Sequence, residues 1–153
     1  MPLERLPPVD EHAVLVAAPP EAVYDAVLAI LATTFGTGRA RLVAGLLGCD
    51  PPSTAAWRRP AVGSSVPGFR VVAADRPGLL VVAGRHRFSR YGIVFRVQPA
   101  GRWVRVRAET RAAFPGPHGA AYRLAVIGSG GHAVTVRRML RRIARVAERA
   151  PPR

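Results

Sequence analysis

The last third of the chain, from about Gly119 to Arg149, sets the terms for everything before it. At helical spacing, Tyr122, Val126, Ser129, Ala133, Val136, Leu140, Ile143 and Ala147 fall on one stripe, in steps of three and four residues. Arg137, Arg138, Arg141, Arg142, Arg145 and Arg149 fall on the other side. This predicts one long amphipathic helix, and such a helix needs an apolar surface to receive its stripe. One interruption stands out, Gly128-Ser129-Gly130-Gly131. Glycine inside a helix costs roughly 0.8–1.0 kcal/mol relative to alanine, so a break into two shorter helices is one reading. The stripe keeps its phase through Val126, Ser129 and Ala133, which favours a single helix whose small residues, Gly130 among them, leave room for a ligand or for the sheet.

Upstream, the pattern changes to period two. His12 to Ala18 reads as a short buried strand. Pro19-Pro20-Glu21 opens a helix, since proline and an early acid both suit a first turn; Val23, Val27, Ile30 and Leu31 give it an apolar face to about Thr33. Arg39 to Leu47 reads as a second short helix, stopped by Gly48. Residues 50–67 are rich in Pro, Ser and Ala, a loop whose Trp57 should pack onto the core. Four strands follow, at Gly68–Asp75, Leu79–Arg90, Tyr91–Gln98 and Trp103–Ala113. The last alternates most cleanly: Val104, Val106, Ala108 and Thr110 oppose Arg105, Arg107, Glu109 and Arg111. Short links and one wet face predict an antiparallel meander. The fold class is therefore α+β: a curved antiparallel sheet wrapped around a long C-terminal helix, with two short helices after the first strand. Residues 12–149 form one domain, with a flexible lead-in at 1–11 and a frayed tail at 150–153.

Charge needs care. The chain of 153 residues carries 23 basic and nine acidic side chains, for a net +14, and every basic residue is arginine. Heavy use of Ala, Val, Gly, Pro and Arg is what a GC-rich genome imposes, so part of the basicity is codon bias. The aromatics are few and do not alternate with the arginine runs as a base-stacking platform requires, which disfavours nucleic acid. Weak electrostatic contact between the helix's arginine face and an anionic membrane stays open. A lone cysteine, Cys49, suits a reducing cytoplasm. The N-terminus has no apolar signal region, and no stretch is long enough to span a bilayer. Nothing in the sequence sets an oligomeric state.

The order of elements resembles the helix-grip fold of the START-like (SRPBCC) superfamily, which includes the major birch pollen allergen, lipid-transfer domains and polyketide cyclase/dehydrase-like proteins. The resemblance rests on the opening VLVAAPPEAVYDAVLAI, a strand followed by a proline-led helix. GRHRFSRYGIVFRV, RVRAETRAAFPGPHGAAYR and VIGSGGHAVTVRRMLRRI resemble a bacterial branch of unassigned function. The likeness implies a lipophilic cavity between sheet and terminal helix, without implying a reaction. Seven strands are usual in that fold and five are clear here; residues 49–67 are the place to seek the others.

Within that frame, Phe69, Val82, His86, Phe88, Phe95, Val106, Thr110, Tyr122, Val126 and Gly130 are the expected ligand contacts. His86 shares a strand face with Val82 and Phe88, which makes it either a satisfied core histidine or a polar anchor and general base. His118 and His132 lie where they can reach the cavity mouth. Tyr91 is a candidate rim residue. Glu109 reads as a surface ion-pair partner, but a bulge in its strand would turn it inward as a second catalytic candidate. His12, His86, His118, His132 and Cys49 lack metal-ligand spacing, so no metal or other cofactor is expected. No Ser-His-Asp set and no carboxylate pair can be assembled. Three functions remain: binding of a lipophilic small molecule as carrier, sensor or sequestering protein; a cyclase/dehydratase-type enzyme using His86 or Glu109; and a basic surface protein docking on anionic membrane or nucleic acid.

Overall fold

The structure is a computed structural model that describes residues 2–151. Six strands form one antiparallel sheet in the order β1-β6-β5-β4-β3-β2. They are β1 Pro8–Val16, β2 Ser65–Val66, β3 Phe69–Asp75, β4 Leu79–His86, β5 Ser89–Ala100 and β6 Trp103–Ala113. The helices are α1 Pro20–Phe35, α2 Gly38–Leu47, α3 Gly116–Arg123 and α4 Gly131–Arg149. β1 pairs with β6, so the first strand joins the far end of the β3–β6 meander and the two helices after it cross the sheet.

The α+β architecture follows the sequence pattern, and β2 lies inside the stretch where a further strand was sought. Several boundaries differ from expectation. β1 starts at Pro8 rather than His12, and Leu3–Arg5 form a short 3-10 turn, so most of the expected lead-in is structured. Of the tail expected to fray, Pro152 and Arg153 lie outside the described residues. β4 stops at His86 and β5 begins at Ser89, because Arg87-Phe88 is a two-residue hairpin turn. Two charged residues and a serine around Phe88 gave no glycine or asparagine to mark that turn.

The single long helix is the main correction. α3 runs into one π-helical turn, Leu124–Gly128, and α4 starts afresh at Gly131. Gly130 sits between them with φ 78°, a left-handed conformation that costs a non-glycine residue roughly 1–2 kcal/mol. An apolar stripe that keeps phase does not prevent a break, because the phase of the two helices is set by what each packs on. α4 buries Val136, Met139, Leu140, Ile143, Ala144 and Ala147 against the sheet and α1, while its six expected arginines stay exposed.

The core is solid in this region. α1 contributes Val23, Val27, Ile30 and Leu31, and the sheet contributes Val16, Val71, Leu80, Val82, Phe95, Val97 and Val106. Trp57 packs against that core and donates from Nε1 to the Leu28 carbonyl at 3.2 Å, so the 50–67 loop is pinned to α1. Among the described residues, no single helix is long and apolar enough to cross a membrane.

Candidate ligand-binding site

Because the chain turns at Gly130, α4 covers only part of the sheet. The other end is covered by α2 and by α3 with its π-helical turn, and these do not meet. A cavity of about 500 Å³ lies between them. α2 supplies Ala40, Val43, Ala44 and Leu47 to one wall. The sheet supplies Phe69, His86, Ser89, Tyr91, Ile93, Thr110 and Ala112. Tyr122, Val126, Ile127 and His132 close the opposite side.

The expected contacts divide accordingly. Phe69, His86, Thr110, Tyr122 and Val126 come together on the cavity wall. Val82, Phe95 and Val106 point to the same side of the sheet but lie at the filled end, each with 0% exposure. Phe88, in the hairpin turn, stacks on Tyr122 behind the wall, with ring centroids 5.6 Å apart. Gly130 serves the turn into α4 and is not a wall residue. His118 is exposed on α3, away from the cavity. The expectation missed α2, which reads only as a short helix with scattered apolar residues; nothing local shows that its Ala40–Ala44 face looks into empty space.

Rings dominate the wall. Phe35 contacts Phe69 at 4.7 Å, Phe69 contacts Tyr91 at 5.2 Å, Tyr91 contacts His86 at 5.4 Å, and His86 contacts Tyr122 at 4.7 Å, all between centroids. These distances suit tilted and edge-to-face packing, and the chain of rings forms an aromatic belt. One backbone feature holds it in place. A Cβ at Gly84 would stand 1.9 Å from the Gly68 carbonyl oxygen, so only glycine lets the β2–β3 turn lie this close to β4. That same carbonyl accepts the Tyr91 hydroxyl at 2.7 Å, which satisfies the one polar atom of a mostly buried phenol.

The wall is nearly uncharged. Burial pushes the Tyr91 and Tyr122 phenols and the Cys49 thiol up from their ordinary values, so all stay protonated near neutral pH. Burial pushes His86 down, so it is a neutral imidazole there. Its Nδ1 accepts the Phe88 backbone N–H at 3.1 Å, which leaves the ring proton on Nε2. Arg39 stands at the exposed start of α2, on the rim.

Glu109 is on the other face of the sheet. The strand bulges fall between Pro8 and Asp10 and between Val71 and Ala73, not in β6. Glu109 pairs instead with Arg111 at 2.7 Å and Arg96 at 3.1 Å. Burial alone would raise its carboxyl, but these two guanidinium partners outweigh that and hold it below the usual range.

Next to the cavity lies a polar cluster that joins the expected Thr110 and His132 to Asp10 and His12, which the expected site did not include. His132 Nε2 is 3.1 Å from Thr110 Oγ1 and 3.4 Å from Asp10 Oδ1. Asp10 Oδ2 in turn meets His12 Nε2 at 3.1 Å. Both contacts of His132 use one ring nitrogen, so this is not a nucleophile–base–acid relay, which needs opposite nitrogens. Among the described residues, no set of His, Cys, Asp or Glu side chains converges as a metal site.

Comparison with known proteins agrees with the architecture. No family model matches the sequence, and no curated protein matches it. Solved structures do. A Chromobacterium violaceum protein is 16% identical, matching over 94% of this chain and 100% of its own with a TM-score of 0.56. Truncated norcoclaurine synthase from Thalictrum flavum is 16% identical over 93% of this chain and 94% of its own, with a TM-score of 0.57. A protein of the dynemicin biosynthetic locus is 14% identical over 93% of this chain and 48% of its own, with a TM-score of 0.55. At such identities the likeness is one of fold. The curved six-stranded sheet, the two helices after its first strand and the closing helix give this chain a helix-grip fold, the architecture it shares with these solved structures.

Proposed function

We propose that the protein binds a lipophilic, ring-bearing small molecule in the cavity between α2, the sheet and the α3–α4 junction. It would act as a carrier, sensor or sequestering protein, in a cytoplasm that keeps Cys49 reduced. The observation that carries this reading is the cavity itself. Its volume of about 500 Å³ falls within the roughly 300–1,000 Å³ usual for small-molecule sites. Its walls are apolar with few polar atoms, so affinity would come from buried ligand area, at about 25 cal/mol per Å². The aromatic belt favours a flat ring over a plain acyl chain, because edge-to-face contacts reward a π system.

A second reading, a cyclase/dehydratase-type enzyme, is favoured by two imidazoles, His86 and His132, on one apolar wall. Fold likeness to norcoclaurine synthase keeps it in view without assigning a reaction. An open cavity argues against the third reading, in which a filled interior would leave the arginine surface as the only functional feature.

The direct test is titration with 2-methoxynaphthalene followed by amide NMR. At roughly 0.3–0.6 kcal/mol per non-hydrogen atom, this probe should bind with a Kd of about 5 μM to 2 mM. Shifts should concentrate at α2, Tyr91–Ile93, Thr110–Ala112 and Tyr122–Ile127. Shifts scattered over the arginine face of α4, with none on the wall, would overturn the reading.

A further inference from the structure

The inward face of β1 carries two ionisable residues where an apolar pair would be expected. Asp10, His12, Val14 and Val16 alternate toward α4, and the bulge between Pro8 and Asp10 sets Asp10 opposite Thr110. The side chains of Asp10, His12 and His132 are only 22%, 15% and 19% exposed. A carboxylate in such a position is costly unless it is paired and hydrogen-bonded. Its Oδ2 has His12. Its Oδ1 is buried and makes no hydrogen bond, although His132 Nε2 lies 3.4 Å away.

That orphaned oxygen decides the tautomer of His132. Negative charge beside Nε2 favours the proton there, directed at Thr110 Oγ1 with the Asp10 carboxylate 3.4 Å away. Nδ1 is then a bare acceptor, with no partner among the described residues. His86 is the opposite case: its Nδ1 is occupied by the Phe88 N–H, and its Nε2 carries a proton that no group among the described residues accepts. The cavity wall thus holds one imidazole that donates and one that accepts.

We propose that His132 is the polar anchor of the cavity, with Asp10 as its positioning residue, and that it selects a ligand bearing a weakly acidic hydroxyl on a ring, a phenol or an enol. The ligand hydroxyl donates to His132 Nδ1. Thr110 and Asp10 hold the imidazole in the tautomer that accepts it, and His12 holds Asp10. This inference rests on the cavity being a binding site.

The test compares 2-naphthol with 2-methoxynaphthalene. Both offer an oxygen acceptor to His86 and a naphthalene ring to the belt, but only 2-naphthol offers an O–H. The parent protein should prefer 2-naphthol by about three- to tenfold, the range of one hydrogen bond. His132→Leu should bring the two affinities to about the same value, because that variant removes the acceptor and affects ring burial equally for both probes. Asp10→Asn should shrink the preference at least threefold while the ether's affinity stays put, since it releases the tautomer without emptying the wall. A merely structural Asp10 would weaken both probes alike. An unchanged preference in both variants overturns the proposal. Failure of the parent to bind either probe would instead remove the cavity reading on which it rests.

Discussion

Replacing Ala44 with Trp is expected to lower the affinity for 2-methoxynaphthalene at least tenfold while leaving the folded state as stable as the parent. Ala44 is 4% exposed on α2 and is among the residues that line the cavity. An indole is about the size of a naphthalene, so the new side chain occupies the volume the probe would use. In a packed interior such a change forces neighbours apart and costs about 1–3 kcal/mol. Here it enters empty space and covers apolar surface, so strain and gain offset each other. Calorimetric titration and thermal denaturation of the same variant read both quantities. Retained binding, or a large loss of stability, would show that Ala44 does not border the void.

A second large effect separates the filled end of the interior from the hollow end. Phe95→Ala should destabilise the protein by about 3–5 kcal/mol, out of the roughly 5–15 kcal/mol that a domain of this kind has. Phe95 has 0% exposure at the centre of the sheet, between Leu80 and Ala108 on the neighbouring strands. Phe69→Ala should cost less, about 1–3 kcal/mol, because one side of that ring already faces the cavity and has fewer atoms to lose. Urea unfolding of the pair gives the difference directly. Equal costs would mean that both rings sit in the same kind of packing, and the cavity wall would have no energetic signature.

The sheet was largely legible in the sequence. Alternation of valine with arginine in β6, and of apolar with polar residues in β3 and β5, needs only a strand with one dry face, and that is a local property. The proline-led start of α1 and the left-handed stop at Gly48 are local as well. What was not legible depended on partners far along the chain. Asp10 and His12 acquire a meaning only when α4 brings His132 over them, more than a hundred residues later. Val82, Phe95 and Val106 carry the same inward pattern as Phe69 and Thr110, yet one set faces packed side chains and the other faces a void. Periodicity reports the face of a strand, not the distance to the layer above it. Gly130 shows the same limit: the stripe on either side of it keeps phase, while a single positive φ redirects the chain and creates the space.

The central claim is that this cavity holds a guest molecule. Mass spectrometry under native conditions, on protein purified from its own host, tests it most directly. A species heavier than the bare chain by a few hundred daltons is expected. On denaturation it should release a neutral, ring-bearing compound with at least one hydroxyl group. Protein found only at the mass of the bare chain, in repeated preparations and after incubation with host lipid extract, would contradict it.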